Sequence, residues 1–210
     1  MPKLDYIRDP KEIYASSFAI VRAESALGDL PEDMNDVAIR LIHSCGMPDI
    51  LDDLQYSDEA VQSGGSALKA GATIFCDVEM VRAGIISRLL PEKCRVVCTL
   101  NDERVVDHAK DIANTRSAAA VDFWGEDLLG SVVVIGNAPT ALFRLLERVQ
   151  QGAFKPALII GAPVGFVGAA ESKRALVSND FGLEYIAISG RRGGSAMASA
   201  IVNGLAGGLS

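Results

Sequence analysis

Between residues 32 and 45 the apolar side chains Met34, Val37, Ala38, Leu41, Ile42 and Cys45 recur at helical spacing, and this continuous stripe predicts an amphipathic helix. Pro31 marks its start, and Gly46 with Pro48 marks its end. At about 100° per residue His43 falls nearly opposite the stripe, beside Asp36 and Ile39 and one turn from Arg40. That direction suits a solvated side chain as well as one facing a ligand or another subunit, and periodicity leaves the choice open. Upstream, Asp9-Pro10 with Glu12 predicts a capped helix start, and the helix is expected to run to Gly28. Its apolar side carries Ile13, Tyr14, Phe18 and Val21, with Ser17 set among them. A hydroxyl there needs a partner, either a carbonyl of its own helix or a ligand. A third helical stretch begins at Ser57 as cap, with Asp58 and Glu59 at its positive end, and stops at Gly71; Gly64-Gly65 weakens its middle.

From residue 72 the texture changes to short β-branched runs, ATIFCD, CRVVCTL, SVVVIGN, ALIIGAP and YIAISG. Helical segments alternate with them: ERVVDHAKDIAN and RSAAAVDFW, then PTALFRLLERVQQ, AAESKRALVSN and SAMASAIVNGLA. Runs apolar on both faces and joined by helices predict an α/β fold. The expectation is an open, mainly parallel sheet of about five strands, with helices on both faces and an N-terminal helical segment. No linker-like or repetitive stretch interrupts the chain, so residues 1–210 are expected to form a single domain.

Composition narrows the partners. A net charge of -7 with no compensating basic run argues against a nucleic-acid or anionic-membrane surface, while leaving room for a local cationic pocket. Cys45, Cys76, Cys94 and Cys98 form no C-x-x-C, and the last three fall in or beside apolar strand-like runs, which reads as buried reduced thiols and no zinc site. The first residues lack an apolar signal core and no apolar run approaches about 18 residues, so a cytoplasmic protein is expected.

In open α/β sheets ligands collect beyond the carboxyl ends of the strands. Here those ends read TLND, GNAPTA, GAPVGFVGAAESK and SGRRGGSAMASA, glycine-rich turns whose backbone N-H groups can hold carboxylates or phosphates. Arg191 and Arg192 add fixed charge. A dinucleotide fingerprint, a P-loop, H-E-x-x-H and G-x-S-x-G are all missing from the sequence. The remaining candidates are His43 with Arg40, Ser17, Arg116, Lys173 and Arg191. His108, at the edge of its helix between apolar and charged sides, reads as a half-exposed structural residue.

The segments RLIHSCGM (40–47), NTRSAAA (114–120), GAPVGFVGAAESK (161–173) and SGRRGGSAMASA (189–200) together resemble the signature blocks of the precorrin-8X methylmutase family. The resemblance implies a homodimeric isomerase of cobalamin biosynthesis, with its site near the subunit interface. It would move a methyl group from C-11 to C-12 of ring C in precorrin-8X, giving hydrogenobyrinic acid, without cofactor or metal. It further implies that His43 is the proton donor or acceptor at ring C and that Ser17 and Arg116 meet the substrate. Arg40, Lys173 and Arg191 join them on charge and position within the blocks. The substrate the resemblance implies is a corrinoid, a tetrapyrrole with a flat apolar macrocycle and a fringe of carboxylates, which would call for apolar walls and a few local cations. Cys45 and Met47, where relatives acting on cobalt-precorrin-8 more often carry threonine and aspartate, favour the cobalt-free substrate. Two alternatives are the cobalt-precorrin-8 enzyme and a corrinoid carrier.

Overall fold

The computed structural model describes residues 4–207 and 209. Two helices open the chain, α1 (Pro10–Glu24) and α2 (Asn35–Cys45). They are followed by a 3-10 segment over Pro48–Asp53, strand β1 (Leu54–Tyr56) and helix α3 (Ala60–Ala70). The alternating part comprises β2 (Thr73–Cys76), α4 (Glu79–Gly84), β3 (Arg95–Cys98), α5 (Val105–Asp111), α6 (Arg116–Val121) and β4 (Val132–Ile135). It continues with α7 (Pro139–Gln150), β5 (Leu158–Gly161), α8 (Ala169–Val177), β6 (Tyr185–Ile188) and α9 (Ser195–Leu205).

The predicted α/β sheet forms with six strands in the order β1-β6-β5-β4-β2-β3. All neighbours are parallel except β1, which runs antiparallel on β6 with Leu54 opposite Ile188. That sixth strand is too short to show in the hydrophobic pattern: it is made by backbone pairing on a ready edge. Helix α4, six residues long, also lacks a readable period. Ser57 does not cap α3. Its hydroxyl donates to Glu184 and accepts from the Tyr185 N-H at 2.9 Å, fastening the end of β1 to β6.

Alternation along the strands places a core layer on each face of the sheet, and a small third cluster joins α5 to α6. Val132, Val134, Leu158, Ile160, Ile186 and Ile188 face one layer. Val133, Ile135, Ile159 and Ala187 face the other. The first layer holds side chains of α1, α2, α3 and α9, and the second those of α7 and α8.

Helix α2 lies antiparallel to α9. Gly204, near the end of α9, sits against the start of α2, where an added Cβ would come within 2.6 Å of the Val37 Cα. At the other end Arg192, just before α9, donates to Asp49 and Asp53, just after α2, at 2.8 and 2.7 Å. Because α9 starts at the carboxyl edge of the sheet, this pairing brings the C-terminal end of α2, with His43, to the same edge. Gly46 closes α2 in the left-handed region at φ 69°, with its N-H on the Ile42 carbonyl.

The close approach generates a test. Gly204→Ala forces a methyl against backbone that cannot rotate away, and is expected to destabilise the protein by about 1–3 kcal/mol. Chemical denaturation followed by circular dichroism reads this directly, and an unchanged midpoint would mean that α2 shifts on α9 without cost.

Candidate functional site

The stripe predicted for α2 is buried, with Val37, Ala38, Leu41 and Ile42 all at 2% exposure or less. The opposite face is not open to solvent either. Helix α1 lies over it, leaving Ile39 only 1% and Arg40 only 8% exposed. His43 therefore points at α1. Its Nδ1 is 2.7 Å from the Ser17 hydroxyl. Ser17 thus finds its partner in His43, on a different helix, rather than in a carbonyl of its own helix. Phe18 presents an edge to the imidazole at 5.3 Å between ring centroids, and Tyr14 lies tilted at 5.5 Å. The Arg40 guanidinium stacks over these same two rings, 5.3 Å from Tyr14 and 5.0 Å from Phe18.

The Ser17 hydroxyl can donate to an unprotonated Nδ1 or accept from a protonated one, so it holds the ring in either state. That leaves Nε2, which has no hydrogen-bond partner among the described residues. Beside His43 and Ser17 runs an apolar groove of about 380 Å³, walled by Ile13, Ile20, Val21 and Ile42. Ile13 and Ile20, at 44% and 55% exposure, leave α1 with an uncovered apolar side. Burial, and then the positive charge of Arg40, lower the His43 pKa below the ordinary imidazole value. The imidazole is accordingly neutral near pH 7. Arg40 itself is a buried cation without an ion pair among the described residues, and its Nε meets no acceptor.

The strand-end loops are organised around other residues. Lys173, 1% exposed, donates from Nζ to the carbonyls of Pro163 at 3.0 Å and Arg192 at 2.7 Å. These two bonds tie the loop after β5 to the loop after β6. Burial lowers the Lys173 pKa to about 8, against the pull of Asp53. Gly193 packs in the same seam, at φ 152°, where a Cβ would meet the Ala162 carbonyl oxygen at 2.3 Å. The joined loops present Phe166 and Val167, 84% and 90% exposed, with the Arg191 guanidinium 5.4 Å above the Phe166 ring. Arg192 is engaged by Asp49 and Asp53 and is not a free cation. Arg116, exposed at the start of α6, donates to the Leu100 carbonyl at 3.1 Å and to Asn101 at 3.4 Å. No contact among the described residues joins Arg116, Arg191 or Lys173 to His43; Arg40 and Ser17 are the two candidates that the fold brings to it.

One expected anion site is already filled. The sheet order reverses between β2 and β4, where an open α/β sheet commonly holds its ligand. There the carboxylate of Asp77 accepts the N-H groups of Gly136, Asn137 and Ala138 at 3.0, 2.9 and 2.7 Å. The GNAPTA turn thus presents these donors to its own chain and not to a substrate. Asp77 is 2% exposed, and burial raises its pKa against those three donors. An acid ending a strand, as Asp77 ends ATIFCD, beside such a turn is the sequence signal for this contact.

His108 is half-exposed as expected, with Nε2 2.7 Å from Asp122, which also takes a two-pronged contact from Arg144 at 2.9 and 2.7 Å. The four cysteines are free, but only Cys76 is fully buried, the others being half-buried. Among the described residues no helix is long and apolar enough to cross a membrane, and no group of three or more His, Cys, Asp or Glu is placed to hold a metal ion.

Comparison with known proteins converges on one family. The profile described as precorrin-8X methylmutase matches residues 12–207. The chain is 56% identical to the precorrin-8X methylmutase of Pseudomonas aeruginosa, over 97% of this chain and 98% of the relative. It is 53% identical to the precorrin-8X methylmutase of a Sinorhizobium species, over 98% of each. The cobalt-precorrin-8 methylmutase of Salmonella typhimurium is 40% identical, over 96% of this chain and 97% of the relative. A solved structure of precorrin-8x methyl mutase from Thermus thermophilus superposes with a TM-score of 0.85 at 36% identity, covering 95% of this chain and 96% of that one.

The electrostatics of the helix pair yield a measurable shift. In NMR titration the His43 ring is expected to protonate below the ordinary imidazole pKa, and Arg40→Met to move it upward only part of the way, because burial is the larger cause. The sign for stability follows. The unfolded chain takes up this proton first, so the contribution of neutral His43 is complete above the ordinary imidazole pKa and is lost as pH falls through the lowered one. A His43 midpoint that does not move in Arg40→Met would exclude the coupling.

Proposed function

Since the chain belongs to the precorrin-8X methylmutase family, we propose that His43 performs the proton chemistry of its methyl migration, with Ser17 holding the imidazole. The reaction itself is an isomerisation in cobalamin biosynthesis: a methyl group of precorrin-8X passes from C-11 to C-12 of ring C, giving hydrogenobyrinic acid. The metal-free substrate agrees with the higher identity to relatives named for precorrin-8X than to one named for cobalt-precorrin-8, 56% and 53% against 40%.

The observation that carries the assignment of His43 is its geometry: one ring nitrogen bonded across the helix pair to Ser17, the other unpartnered beside an apolar groove. A methyl shift within one molecule needs no external nucleophile. It needs a proton or hydrogen bond at the ring-C nitrogen while the conjugated system rearranges. A neutral imidazole with a lowered pKa accepts a proton reluctantly and returns it readily, which suits transient protonation at one atom. The Ser17 hydroxyl, by switching between donor and acceptor, lets Nε2 give or take that proton without the ring turning over.

The apolar walls contributed by Ile13, Ile20 and Ile42 match the flat macrocycle, and Arg40 supplies positive charge one turn from His43. Arg116 and Arg191 are the remaining cations we assign to peripheral carboxylates, Arg191 steadied by Phe166. Lys173 we assign to positioning, through the two carbonyls it binds. A homodimer closing near His43 is supported by the uncovered apolar side of α1. A single domain is supported by one sheet carrying both cores.

His43→Ala is expected to fold and to bind hydrogenobyrinic acid while turnover falls by about 10²–10³, the range for loss of one well-placed catalytic group. Ser17→Ala is expected to lose less, about five- to tenfold, as one hydrogen bond is removed. Anaerobic assay with precorrin-8X, followed by the absorbance of the rearranged chromophore, checks both. Native turnover by His43→Ala would remove His43 from the mechanism.

A further inference from the structure

Helix α1 has a groove on each flank. The first, apolar, contains His43. The second, of about 410 Å³, is lined by Lys11, Tyr14, Phe18, Arg40, Arg88 and Leu89, and combines aromatic and aliphatic walls with three cations. We propose that this second groove is a carboxylate subsite, in which Arg40 at the floor and Lys11 and Arg88 at the rim hold acid arms of the corrinoid whose macrocycle lies against His43. The proposal rests on the functional reading above and extends it to Lys11 and Arg88, which no sequence block singled out.

Three observations carry it. Arg40 is 8% exposed, its Nε is buried without an acceptor, and no carboxylate among the described residues pairs with it. A buried guanidinium left in that state is costly unless an anion completes it. Lys11 and Arg88 likewise make no side-chain hydrogen bond or ion pair among the described residues, although the chain carries 27 acidic residues against 20 basic ones and pairs Arg82, Arg95, Arg104, Arg144 and Arg192 with acids. Among the described residues no carboxylate lines this cavity, and three cations without ion pairs there give it a local positive field. Finally, the two grooves are neighbours across one packed layer of side chains. Tyr14 and Phe18 line the second groove and contact the His43 ring, and Arg40 precedes His43 by three residues, about 4.5 Å along the helix. Acid arms extending from a macrocycle beside His43 have only this short span to cover to reach Arg40.

Since Lys11 and Arg88 are exposed, Lys11→Gln with Arg88→Gln is not expected to disturb folding. Titrating wild type and the double variant with hydrogenobyrinic acid, at low and high salt, tests the proposal by absorbance. The expected result is about a tenfold rise in Kd for the double variant at low salt, with a shallower salt dependence, as charge-assisted contacts at an exposed rim are removed. An unchanged Kd and unchanged salt dependence would overturn the subsite while leaving His43 and the isomerase reading intact. A change in subunit association with ligand affinity preserved would also overturn it, because the anion would then belong to a second copy of the chain. If wild type neither binds hydrogenobyrinic acid nor converts precorrin-8X, the functional reading fails before the subsite is in question.

Discussion

The antiparallel seating of α2 on α9 is the constraint from which the candidate site follows. Gly204 lets the two backbones touch, and the Arg192 contacts to Asp49 and Asp53 fix the opposite end, so direction and depth of α2 are both set. With that helix in place, its inner face completes the core beneath the sheet, and its outer face becomes a floor for α1. His43 and Arg40 then lie between two helices, where neither is fully solvated. The lowered pKa of His43 arises from this layering and not from any special feature of the residue itself.

Charge is distributed in two contrasting ways at the sheet edge. At the strand-order reversal the chain supplies its own anion, Asp77, and three N-H groups close on it. Beneath α1 it supplies cations and leaves them open, Arg40 most deeply. The first arrangement removes the usual phosphate-binding position of an α/β sheet from use, and the second offers carboxylates a place elsewhere. Lys173 belongs to neither: its ammonium is a cross-brace that keeps the two exposed loops in one relative position.

Much of this was legible in the residues. The periodicity of Val37, Leu41 and Ile42 located α2 and its buried face, and the β-branched runs located the five parallel strands, because burial on one or both faces leaves a repeating mark. Strand β1 left none, since three residues held by backbone pairing on an edge need no particular side chains. The helical wheel set His43 opposite its core, but the partner covering that side belongs to α1, 26 residues away, and no local pattern encodes such a contact. For the same reason Ser17 appeared as a hydroxyl in search of an acceptor. Lys173 and Asp77 mark the other limit: a charge in a sequence does not disclose whether it faces outward or satisfies buried backbone groups.

Helix α1 is a partition with a cavity on either side, and its own residues supply part of each wall. The two volumes are therefore not independent. The seating of α1 on α2 shapes both, and it is held by the Ser17 to His43 bond and by Tyr14 and Phe18 against the same imidazole. One helix thus sets the width of an apolar cleft and a cationic one together, and a substitution chosen to reshape either is made in a wall the other depends on.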